Sequence, residues 1–173
     1  MLALTTIDII TRIAVAIGLG TVMGLERTLA GKSAGIRTYG MITLGSSVFV
    51  IISESIIFSL SNPLIASPLM IPAAIISGIG FLGAGLIIFQ SNKITGLTSA
   101  AGLWVSAAIG ISAGFGLFNI AIITTISALL IFTIMWFVEQ ILKKFSYRTE
   151  SESIAIEEEE RLLKKQNKFF NVK

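Results

Sequence analysis

Seven charged side chains lie inside or at the ends of long apolar runs: Asp8, Arg12, Glu26, Arg27, Arg37, Glu54 and Glu139. A charge beside lipid needs a partner, a backbone group or water, so any chemistry in this chain belongs at these positions. Asp8 and Arg12 are four apart and share a helix face, a spacing at which they can pair. Glu26 and Arg27 stand where the first apolar run ends, and an interfacial charge pair and a binding site fit them equally. Glu54 sits within an apolar run. Its carboxylate reads either as an intramembrane cation or proton site or as a group that snorkels to the surface. Glu139 closes the last run and reads as interfacial.

Other chemistry is excluded by residue type. The chain has no Cys and no His, which removes disulfides, zinc sites and His- or Cys-based catalysis. No phosphate-binding loop and no nucleophile with its base is present, so the expectation is a non-enzymatic protein without a cofactor. A protein-built Mg²⁺ site gathers several carboxylates. The apolar part of the sequence has no such cluster and no metal site is assigned, which weakens direct pumping while leaving passage of a hydrated ion open.

The elements that must position these charges follow from composition. Hydrophobic residues make up 54% of the chain and charged residues 13%, about half the globular average, so the solvent of this domain is lipid. Five runs are long enough for transmembrane helices: Ile9 to Leu25, Tyr39 to Leu60, Leu69 to Phe89, Leu97 to Phe115 and Leu117 to Val138. The fold class is therefore all-α and polytopic, with residues 1–139 as the membrane domain and 140–173 as a charged tail. The last two runs nearly merge, and Gly114 and Gly116 mark the turn. Short cytoplasmic loops retain Lys and Arg. Arg27, Lys32 and Arg37 follow the first run, Lys93 follows the third, and Lys143, Lys144 and Arg148 follow the fifth; Ser61 to Pro68 holds none. The amino terminus is expected outside and the tail in the cytoplasm. The same distribution points to membrane topology and away from nucleic acid. In the tail, Glu157 with Arg161 and Glu160 with Lys164 are spaced for a short solvated helix, with a flexible tail as the alternative.

Glycine is the other signal. Gly78, Gly80, Gly83 and Gly85 strip side chains from much of the third run, at about 1 kcal/mol of helix propensity each relative to Ala. Close helix packing offsets that cost, or else a kinked segment lines a polar cavity. Gly18, Gly20 and Gly24 precede the first basic loop much as these glycines precede the second, and parallel duplication and a shared need for small residues both account for the likeness. Trp104 reads as an interfacial anchor or a packing residue. Thr38, Thr98 and Ser99 are expected to cap helices or hydrogen-bond across them.

Taken in order, Gly24-Leu25-Glu26-Arg27, Ala34-Gly35-Ile36-Arg37-Thr38, Leu44-Gly45, the stretch Ser77 to Gly85, and Gly96-Leu97-Thr98 with Ala100-Ala101, Leu103-Trp104 and Ala107 to Gly110 closely resemble the MgtC/SapB family. The likeness covers nearly the whole membrane domain, including Arg12. It implies a bacterial inner-membrane protein linked to magnesium homeostasis, a regulator or partner of other membrane proteins more than an established transporter. The positions it marks are Arg12, Glu26, Arg27, Arg37, Thr38, Gly78, Gly80, Gly83, Gly85, Gly96, Thr98 and Trp104.

Two departures qualify the resemblance. Thr95 stands where many members carry Arg, and the tail is too short and too charged to form the compact cytoplasmic domain of longer members. The Ile- and Lys-rich composition suits an AT-rich genome and keeps a plastid membrane as the alternative location. Two functions follow: a non-enzymatic regulator that binds membrane proteins or itself through its glycine-rich helices, and a magnesium or other cation transporter or channel that uses Glu54 or the first-loop charges.

Overall fold

The computed structural model describes residues 4–59, 67, 69–90 and 93–142. The proposed tail pairs at Glu157 to Lys164 and most of the Ser61 to Pro68 loop lie outside them. Among the described residues there are five helices: α1 Thr6–Leu29, α2 Ile36–Ser59, α3 Met70–Leu86, α4 Leu97–Gly114 and α5 Phe118–Leu142. Four of them, α1, α2, α4 and α5, are long and apolar enough to cross a membrane, and α3 is shorter. Most helices extend beyond the apolar runs, because polar residues at the ends remain helical where the chain leaves the apolar zone. The exceptions are α4, which matches its run to within one residue, and α3, which stops three residues before Phe89. There Ile88–Gln90 (β1) pairs antiparallel with Lys93–Thr95 (β2), a hairpin the hydropathy pattern had merged into the helix.

Helix ends are closed locally. At the start of α1, the Asp8 amide donates to Thr5 Oγ1 at 3.2 Å while Asp8 Oδ2 accepts from the Thr5 amide at 3.0 Å, a reciprocal capping box. This cap, rather than a pair with Arg12, occupies the Asp8 carboxylate. At the end of α1, Gly31 takes a positive φ of 65°, and the Lys32 and Gly31 amides return to the Arg27 and Thr28 carbonyls. The end of α4 repeats this arrangement. Gly116 has φ 73°, and the Leu117 and Gly116 amides return to Ser112 and Ala113. Both are Schellman turns.

The core forms where α1, α2 and α4 meet, and α3 lies mainly against α4. Small residues set the approach. A Cβ on Gly20 would collide with the Thr43 side chain, one on Gly24 would come within 2.6 Å of Ile36 Cα, and one on Gly114 within 2.8 Å of the Ser47 carbonyl. Gly110 is equally closed by Thr43 and Ser46. Gly110 and Gly114, one turn apart, thus let α4 press onto α2 in the small-xxx-small manner of membrane helices. Tyr39, Met23, Leu103 and Val50 fill the space around them. On α5, the buried residues Ala121, Thr125 and Ala128 recur at helical spacing and mark its inward stripe.

The chain divides into two compact units, Met1–Leu130 and Ile131–Lys173. In the second, the described residues are the final turns of α5, where the Trp136 and Phe137 rings meet edge to face with centroids 5.2 Å apart. Glu139 is exposed near that helix end.

Candidate functional site

One charged cluster ties three elements. Arg12, early in α1, reaches Glu54, late in α2, with Nη1 2.5 Å from Oε2. The same nitrogen donates to the Gly114 carbonyl at 2.7 Å. That carbonyl is available for a structural reason. A helix ends with orphan carbonyls, and the Schellman turn after α4 uses those of Ser112 and Ala113, leaving Gly114 for the guanidinium. Gly116 completes the cradle: a Cβ there would stand 3.4 Å from Arg12 Nε and Nη2. Both charges are largely withdrawn from the surface, with side-chain exposures of 13% for Arg12 and 29% for Glu54. A cation at a helix C-terminus also meets the negative end of the helix dipole.

The second cluster lies at the other end of α1. Glu26 and Arg27, adjacent in sequence, form a fork in which Arg27 Nη2 donates to Oε1 at 2.5 Å and Nε donates to Oε2. Arg27 is 3% exposed, so its charge is satisfied inside the protein. Next to it, Thr28 Oγ1 donates to the Gly24 carbonyl at 2.9 Å and accepts the Ile36 amide at 3.1 Å, which secures the first turn of α2. The buried Tyr39 hydroxyl points to the Ser99 carbonyl at 3.4 Å, joining the starts of α2 and α4. Arg12 and Arg27 are separated by about 22 Å along α1 at 1.5 Å per residue. The two clusters are distinct.

The remaining sequence-marked residues divide by exposure. Arg37, Thr38 and Thr98 are exposed, and Trp104 is 53% exposed on the outside of α4 rather than wedged between helices. Neither Thr38 nor Thr98 supplies the cap expected of it: Thr28 serves α2, and α4 begins at Gly96 with no side-chain cap. Gly96 has φ 89°, and a Cβ there would strike the Leu86 carbonyl, so it is fixed as the joint between hairpin and helix. The third-helix glycines are open. Nothing comes within 4 Å of a Cβ placed on Gly78, Gly80 or Gly85, and one on Gly83 would make ordinary contact with Ala100. The likeness between the two glycine groups therefore does not extend to their surroundings, since Gly20 and Gly24 are tightly closed.

Sequence reasoning missed Thr28, the Gly114 carbonyl and the partnership of Arg12 with Glu54. Only Thr28 had a local signal, its position just before a glycine-terminated helix end. Among the described residues, no group of three or more acidic, His or Cys side chains could hold a metal ion.

The MgtC family model matches residues 13–141. "Putative magnesium transporter YhiD" of Escherichia coli is 40% identical over 126 residues, which cover 71% of this chain and 58% of that protein. Protein SapB of Bacillus subtilis is 37% identical over 115 residues, 65% of this chain and 50% of its own. Protein MgtC of Brucella abortus is 39% identical over 108 residues, 62% and 43% respectively. The chain spans about half the length of the curated relatives it matches. No solved structure matches it.

Proposed function

This chain belongs to the MgtC family, and we propose that it is a non-enzymatic membrane regulator that associates with other membrane proteins in the service of magnesium homeostasis. The observation that carries this reading is the set of glycines on the exposed surface of α3. That helix buries only Pro72, Ile79 and Gly83 and leaves Gly78, Gly80 and Gly85 facing open space. Lipid gains nothing from a glycine that costs helix propensity, whereas a second helix gains close backbone approach. The magnesium link rests on the printed name of the YhiD relative.

In this reading all five helices span a bacterial inner membrane, with the amino terminus outside and the carboxyl tail cytoplasmic. At 17 residues α3 is about 25 Å long, and modest bilayer thinning brings it across. Lys32 between α1 and α2, Arg27 and Arg37 in the helix turns on either side of it, and Lys93 between α3 and α4 give the bias expected at a cytoplasmic end.

The transporter reading is favoured by the YhiD name and opposed by Glu54. A carboxylate held by Arg12 is not free to replace the water shell of a cation. Photo-crosslinking in native membranes tests the regulator reading. A photoreactive residue at Gly80 or Gly85 should capture other membrane proteins, and one at the buried position Ala107 should not. Labelling of lipid alone from both α3 positions defeats it.

A further inference from the structure

The hairpin between α3 and α4 is amphipathic. Its register pairs Ile88 with Thr95, Phe89 with Ile94 and Gln90 with Lys93. Alternation along a strand sets Phe89 and Ile94 on one face and Ile88, Lys93 and Thr95 on the other. Phe89 is 76% exposed and Ile94 51%.

Connectivity and backbone chemistry fix where this element lies. Single residues, Ile87 and Gly96, join it to α3 and α4, so β1 begins and β2 ends at the boundary of the apolar zone that α4 crosses. A two-stranded ribbon has two edges of unpaired amides and carbonyls, which hydrocarbon does not tolerate. It is therefore held between hydrocarbon and water. A lone two-stranded hairpin is also marginal in water, and an exposed Phe–Ile pair would add to that cost.

Charge completes the match. Lys93 is exposed on the face opposite Phe89, and Lys32 and Arg37 are exposed at the same end of the bundle, where the Tyr39 hydroxyl meets the Ser99 carbonyl. Arg27, by contrast, is taken by Glu26. Among the described residues, these exposed charges, Lys32, Arg37 and Lys93, are all basic, the complement of an anionic lipid surface.

We infer that the hairpin is a lipid anchor: the Phe89–Ile94 face seats at the headgroup–acyl boundary, and Lys93 engages the phosphates of anionic lipids. The occupant is the bilayer because the hairpin's two neighbours in the chain already lie in it. An apolar face on one side and a cation on the other is the pattern of an interfacial element.

The chain has no cysteine, so single-cysteine spin labels report one position each. The full chain carrying Phe89→Cys, Ile94→Cys or Thr95→Cys is reconstituted in phosphatidylcholine vesicles with and without phosphatidylglycerol. Collision with oxygen, which partitions into lipid, is compared with collision with a water-soluble nickel complex. Labels at 89 and 94 should show an oxygen-to-nickel ratio several-fold above that at 95. Phosphatidylglycerol should deepen them, and adding Lys93→Glu should abolish that deepening. Labels at 89 and 94 as open to nickel as that at 95, or shielded from both reagents by protein, would overturn the anchor. A depth indifferent to phosphatidylglycerol would overturn the Lys93 contact.

Discussion

Arg12 and Glu54 stand 42 positions apart in the chain and 2.5 Å apart in the fold, and the same guanidinium closes the end of α4 through Gly114. One side chain therefore fastens three helices. In a low-dielectric setting a lost partner leaves a charge that neither lipid nor protein can solvate.

Removing either partner should be costly. Arg12→Ala or Glu54→Ala is expected to lower stability by about 3 kcal/mol, and Glu54→Gln, which keeps a hydrogen-bond acceptor, by less. The double substitution should cost clearly less than the sum of the single ones. Denaturant unfolding of the protein in detergent micelles, arranged as a double-mutant cycle, measures the coupling; additive losses would mean that the pair contributes nothing.

Glycines should separate into two classes. Gly114→Ala drives a Cβ into Ser47 and Val50, and Gly110→Ala drives one into Thr43, so each should destabilise by about 1–3 kcal/mol as an overpacked core does. Gly78→Ala and Gly80→Ala meet open space and should be neutral or stabilising by up to about 1 kcal/mol. Thermal unfolding of the four variants side by side tests the division.

Two turn glycines should differ as well. Gly31 and Gly96 both have positive φ, but only Gly96 would also strike backbone, at the Leu86 carbonyl. Gly31→Ala should cost about 1 kcal/mol from left-handed strain alone, and Gly96→Ala distinctly more. Equal losses would show that the hairpin yields freely.

Thr28→Val keeps the side-chain shape and loses two hydrogen bonds, leaving the Ile36 amide without its acceptor. A loss of about 1–2 kcal/mol is expected, the range for removing a helix cap. Faster amide exchange at the start of α2, with α4 unaffected, is the accompanying signature.

Much of this fold was legible because lipid imposes a simple rule, a long apolar run for each spanning helix, and α1, α2, α4 and α5 obey it. The hairpin was not, because Ile88 and Phe89 are as apolar as the helix before them and three-residue strands leave no periodicity. Asp8 and Arg12 were spaced to pair, yet Thr5 lay nearer to the Asp8 carboxylate and formed the cap. Glu54 was recognisable as a charge in need of a partner, but local spacing says nothing about a residue 42 positions away. Glycine density drew attention to α3, whereas tight packing is a property of neighbours and falls at Gly20, Gly24, Gly110 and Gly114.

Under the proposed function this chain regulates and does not transport, and Glu54 is committed to Arg12. Magnesium entry into proteoliposomes containing only the purified chain, followed with an encapsulated dye under an imposed gradient, tests it most directly. Entry should be no faster than into empty vesicles, for the wild type and for Glu54→Gln alike. Gradient-driven entry by the wild type that Glu54→Gln abolishes would contradict it.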